Sequence, residues 1–125
     1  MGKLVGFRPI SVETGTAVFE LEAGPQHANP MGTLHGGIIC DVADAAMGTA
    51  YASTLDEGES FTTLDLKINF PRPFWSGRLV ATARTVKTGR TIGLVECDVA
   101  DSEERLVARA MSTCMTLRGE MGEGR

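Results

Sequence analysis

The chain has 125 residues, 42% of them hydrophobic and 22% charged, which fits one domain with its own core and no need of disulfide or metal staples. A net charge of −4 excludes the basic surface that nucleic-acid binding requires, yet leaves a few Lys or Arg free to grip a phosphorylated ligand. Cys40, Cys97 and Cys114 form an odd set without CxxC spacing and read as reduced thiols of a cytoplasmic protein. No apolar run reaches the ~18 residues of a membrane span, and no secretory signal is expected.

Residues 4–12 and 16–22 read as two strands around the turn ETGT. In the second, Val18 and Glu20 face one way while Phe19 and Leu21 face the other, the period of a strand. Residues 24–34, GPQHANPMGTL, carry the Gly, Pro and Asn of a loop. A helix is expected from near His35 to about Ser53, because Ile38, Ile39, Val42, Ala45, Ala46 and Thr49 recur at helical spacing. Its small residues, Ala43, Ala45, Ala46, Gly48, Ala50 and Ala52, predict burial on most sides.

FTTLDLKINFPRP then alternates Leu64, Leu66, Ile68 and Phe70 against Asp65, Lys67 and Asn69. Pro71 and Pro73 cannot donate to a ladder, so this strand should end or bulge there. GRLVATARTVKTG, RTIGLVECDVADSE and RLVARAMSTCMTLRG follow as strands, parted by turn signals at KTGR and ADSEER. One helix followed by successive strands implies an α+β domain, a curved antiparallel sheet of about five to six strands around a central helix. One domain over 1–125 is expected, with a frayed tail from about residue 118.

LHGG opens the helix. In a helix interior Gly36 and Gly37 would each cost about 1 kcal/mol relative to Ala. At a helix N-terminus the first N–H groups lack intrahelical acceptors, and without side chains they can approach a ligand oxygen, the geometry of an oxyanion site. The same glycines would also serve close helix–sheet packing or a turn. Asp44 follows Gly36 by eight residues. Among small apolar neighbours a carboxylate must be paired, protonated or functional, unless it is partly exposed. Asp41, one turn earlier, lies on a similar face, and the sequence does not separate the two.

At 1.5 Å per residue Gly36 and Asp44 are about 12 Å apart along the axis. One small reacting centre cannot touch both within a single helix. Their cooperation therefore requires a two-fold dimer with antiparallel helices, Gly36 of one chain facing Asp44 of the other. His27 and His35 lack acidic or Cys partners at a metal-ligand spacing, so no metal is expected. Cys40 as a nucleophile would need an adjacent base, and one turn earlier lies only Gly36. No GxSxG elbow or P-loop is present.

NPMGTLHGGIICDVADAAMG, from Asn29 to Gly48, resembles the signature of hotdog-fold acyl-CoA thioesterases of the phenylacetic-acid-degradation (PaaI-like) type. TTLDLKINFPRPFWSGRLVATA is similar to the following strand region of that family, and the likeness runs from about Val5 to Leu117. The resemblance implies hydrolysis of an acyl- or aryl-CoA to free acid and coenzyme A. It implies Asp44 as general base or nucleophile and the Gly36 backbone N–H as the group that polarises the thioester carbonyl. His35 would flank that site, Asn29 would position the attacking water, and Thr63 would support it. It further implies a dimer, paired again into a homotetramer, with no cofactor beyond the coenzyme A of the substrate and no nucleic-acid or membrane partner.

Coenzyme A phosphates need cations, for which Arg72, Arg90 and Lys87 are candidates beside the reading of each as a solvated charge. Met47, Phe61 and Tyr51 are candidates for the acyl pocket. There is one departure: some hotdog thioesterases carry Ser or Thr one turn after the acid, where this chain has Gly48. Water positioning would then fall to Thr63, Asn29 or Thr49. The alternative readings are a non-catalytic acyl-CoA-binding module or regulator, and a hydratase of the same fold, whose usual Asp/His arrangement does not match.

Overall fold

The computed structural model describes residues 6–24 and 36–119. Strands β1 (Phe7–Glu13) and β2 (Thr16–Ala23) precede helix α1 (Gly36–Ala52); β3 (Ser60–Asn69), β4 (Gly77–Thr88), β5 (Ile92–Asp101) and β6 (Leu106–Leu117) follow it. The strands form one sheet in the order β1-β2-β4-β5-β6-β3, every neighbouring pair antiparallel. The chain leaves the sheet after β2, lays α1 across it and re-enters at the opposite edge as β3. This is the α+β hotdog arrangement expected from the sequence.

One face of α1 makes the core. Ile39, Val42, Ala43, Ala46, Met47, Ala50 and Tyr51 are buried at the i, i+3, i+4 recurrence of a helix. They pack on Leu21 of β2, on Leu79, Ala81 and Ala83 of β4, and on Val95, Cys97 and Val99 of β5. Alanines on both sides of this contact let the helix lie close to the sheet. The expectation of burial on most sides is corrected: Gly37, Asp44 and Ala52 are exposed, and Asp41, Ala45 and Gly48 only half-buried. Small residues on the second face do not signal burial within the chain, because the sheet curves around only one side of the helix.

Tyr51 anchors the C-terminal end of α1. Its hydroxyl is 2.6 Å from that of Thr116 on β6, and its ring meets Phe61 of β3 edge-on at 5.4 Å between centroids. Gly93 of β5 makes room for it, since a Cβ there would lie 2.3 Å from Tyr51 Cε1. A glycine inside a strand thus marks a close approach rather than a break.

β3 departs from the expected alternation. Its register against β6 shifts between Thr63 and Asp65, so Leu64 is an extra residue in a bulge and lies 53% exposed. The bulge reconciles two parities: Phe61 before it and Leu66 and Ile68 after it all pack on the core, although the first two stand an odd step of five positions apart. The strand ends at Asn69, just before Pro71, as the prolines predict.

Candidate active site

Four residues of α1, Gly36, Cys40, Asp44 and Gly48, succeed one another at i+4 and form one row along the helix. Both glycines of the row meet an aromatic ring from β3 or just beyond it. A Cβ on Gly36 would lie 3.4 Å from Cζ of Phe70, and one on Gly48 would lie 3.4 Å from Cζ of Phe61. The two rings therefore bracket the row, and Cys40 and Asp44 stand between them. A Cβ on Gly48 would thus sit in close contact with the Phe61 ring.

Asp44 is exposed on the helix and has no hydrogen-bond or ion-pair partner among the described residues. Partial burial, and secondarily the charge of Asp41, holds its carboxyl above the ordinary carboxylate value. The same environment acts on the thiols. Burial first, then Asp44 and Asp41, pushes Cys40 up, so it stays protonated near neutrality and is no ready nucleophile. Cys97 is pushed up to about 12 by burial, with Asp98 adding to it.

Behind Asp44 lies Cys114 of β6, buried and within reach of its charge. Burial raises this thiol, hydrogen bonds from Ser112 and Thr63 oppose the rise, and Asp44 and Asp65 add to it. Ser112 also reaches Met47, its Oγ 3.6 Å from Sδ. Thr63 thus faces the helix side of β3, paired in register with Cys114 and next to the bulge. Sequence reading had no means of finding this Thr63–Cys114–Ser112 group, since its members meet only through strand pairing.

Of the residues singled out from the sequence, Asp44 and Thr63 both act on Cys114, and the ring of Phe61 lies against Gly48 one turn from Asp44. Gly36 is the first residue of α1, so its N–H has no acceptor within the helix, and it lies about 12 Å along the axis from Asp44. Asn29, His35 and His27 lie outside the described residues. Arg72 follows Phe70 and stands at the Gly36 end of the sheet. Lys87 and Arg90 are at the other end, on β4 and the turn to β5, where the Arg90 carbonyl accepts a hydrogen bond from Arg118. The three cations therefore do not converge within one chain. Met47 and Tyr51 are fully buried in the core, so Phe61 alone of the expected acyl-pocket set is partly exposed. Among the described residues no cluster of His, Cys, Asp and Glu could hold a metal ion, and no helix is long and apolar enough to cross a membrane.

Residues 31–108, more than half of the chain, match the thioesterase superfamily. The chain is 28% identical over 109 residues to the 1,4-dihydroxy-2-naphthoyl-CoA hydrolase of Listeria monocytogenes, covering 87% of this chain and 89% of that one. It is 27% identical over 106 residues to human acyl-coenzyme A thioesterase 13, covering 83% and 75%. The Escherichia coli PaaI protein of the phenylacetic acid degradation operon superposes with a TM-score of 0.87 at 27% identity, covering 94% of this chain and 84% of that one. By family model, relatives and fold, the chain belongs to the thioesterase superfamily as a thioester hydrolase of the hotdog type.

Proposed function

We propose that the protein hydrolyses an acyl- or aryl-CoA to the free acid and coenzyme A, at a site shared between two chains of a dimer. The observation that carries this reading is Asp44: an exposed carboxylate with a raised pKa and no partner among the described residues, between the rings of Phe70 and Phe61 along α1, in a chain of this superfamily. The relatives named for hydrolysis of coenzyme A thioesters support the substrate class.

The chemistry follows from charge development. A thioester carbonyl attacked at carbon becomes a tetrahedral oxyanion, which the Gly36 N–H at the positive end of α1 stabilises. Asp44 of the partner chain removes the proton of the attacking water, or attacks the carbonyl itself to give an anhydride that water then opens. In either route a C–O bond forms, the C–S bond breaks and coenzyme A leaves as the thiolate, which takes up a proton. Asn29 and Thr63 would position the water, and His35 would flank the carbonyl. Antiparallel pairing of two α1 helices, whose second faces carry Gly37, Asp41, Ala45 and Gly48, would bring each Asp44 to the other chain's Gly36. The dimer is proposed to pair again into a tetramer.

An acyl-CoA panel read by thiol release tests the activity. Asp44→Asn should lower kcat by a factor of about 10² or more with its secondary structure unchanged. Wild-type turnover in that variant would remove Asp44 from the mechanism.

A further inference from the structure

A cavity of about 270 Å³ opens at the Gly36 end of the sheet, lined by Arg72, Phe74, Trp75, Asp101 and Arg105 among others. Trp75 is the sole tryptophan of the chain and is 57% exposed. Arg72 forms no ion pair among the described residues. Arg105 is held in place: its Nε donates to Asp101 Oδ2 at 2.8 Å, while Asp101 Oδ1 accepts the backbone N–H groups of Glu103 and Arg105 at 2.9 Å. Glu103, 3.7 Å from Arg105, is 72% exposed and solvated. An indole face with one guanidinium that has no ion-pair partner among the described residues and a second that is pre-oriented suits a ligand that is both aromatic and multiply anionic. Indole stacks purines, and guanidinium matches phosphate oxygens in pairs.

We propose that this cavity receives the adenosine 3′,5′-bisphosphate end of the acyl-CoA, the purine stacked on Trp75 and the phosphates held by Arg72 and Arg105. The proposal rests on the acyl-CoA reading above. Its location agrees with that reading, because Arg72 follows by two residues the Phe70 ring that touches Gly36. The pantetheine arm would run from the carbonyl at the helix start to this rim. Lys87 and Arg90, at the other end of the sheet, are not needed.

The single tryptophan gives a direct test, independent of catalysis. Titration with adenosine 3′,5′-bisphosphate should quench or shift Trp75 fluorescence saturably, adenosine alone should bind more weakly, and Arg72→Ala should weaken binding about tenfold. Kinetics supply the second arm. Trp75→Ala and Arg72→Ala should raise KM for an acyl-CoA about tenfold at unchanged kcat, and leave the matching acyl-pantetheine unaffected. Trp75→Phe, which keeps a stacking face, should recover most of the KM. No fluorescence response, or equal KM changes for both thioesters, overturns the proposal. If the wild type hydrolyses neither thioester, the hydrolase reading fails instead, and the fluorescence titration still decides what the cavity binds.

Discussion

Gly48 faces the ring of Phe61: a notional Cβ on it would lie 3.4 Å from the ring carbon Cζ. This contact lies one turn after Asp44, at the Tyr51 end of the row. On the proposed reading, Phe61 would limit the size of the acyl group. Phe61→Ala should raise kcat/KM for bulky acyl-CoAs relative to acetyl-CoA by about tenfold, the scale of a hydrophobic pocket change. Gly48→Val, which crowds the ring from the helix side, should move the ratio the opposite way. An acyl-CoA panel on the two variants checks both directions.

The pH profile carries a second prediction. A carboxylate base works only when deprotonated, so activity rises as pH passes through the pKa of Asp44. That pKa stands above the ordinary 3.8 because of burial and then the charge of Asp41. Asp41→Asn removes the second cause, so the acid limb of kcat/KM should move to lower pH without disappearing. The stability consequence has the opposite sense to a salt bridge. The folded chain holds this proton more tightly than the unfolded one, so ionised Asp44 weakens the fold above its folded pKa. Asp44→Asn should melt no lower than wild type at neutral pH, a pattern common at functional sites.

Stability should instead be concentrated around Tyr51. Gly93→Ala drives a methyl to within 2.3 Å of Tyr51 Cε1 and 3.1 Å of the Lys87 carbonyl, backbone that cannot yield as a side-chain end can. Its cost should be about 1–3 kcal/mol or more, read as a lower midpoint in denaturant melts. Tyr51→Phe keeps the ring and leaves the Thr116 hydroxyl without its 2.6 Å partner, at about 1–2 kcal/mol. A neutral result for Gly93→Ala would mean that Tyr51 has another place to go.

What was legible in the sequence was periodic. The 3.6 recurrence of Ile38, Ile39, Val42, Ala45, Ala46 and Thr49 located α1 but only part of its core face: Ile39, Val42 and Ala46 are buried, while Ala43, Met47, Ala50 and Tyr51 complete the face and Ala45 and Thr49 are half-buried. The strands followed from alternation and turns. What stayed hidden depends on partners distant in sequence. The alternation through Leu64 is broken by a bulge that exists only against β6. Met47 and Tyr51 look like pocket residues until the sheet closes over them. Asp44 and Asp41 could not be ranked by sequence because their helical positions are adjacent. In the structure Asp44 is the more exposed, Asp41 raises its pKa, and Asp44's charge reaches Cys114. Gly36 and Asp44 were separable by arithmetic alone, since helix rise does not depend on tertiary context.

The central claim is that each site takes Gly36 from one chain and Asp44 from the other, and mixed dimers test it most directly. Gly36→Pro suits the purpose because proline is tolerated at the first helical position and lacks the N–H in question. Gly36→Pro and Asp44→Asn chains, each inactive alone, are to be unfolded together, refolded and assayed, with heterodimers counted by native mass spectrometry. Random pairing makes half the dimers hybrid, each with one intact site of two, so about a quarter of wild-type activity should return. Heterodimers present in that proportion with no recovered hydrolysis would contradict the shared site.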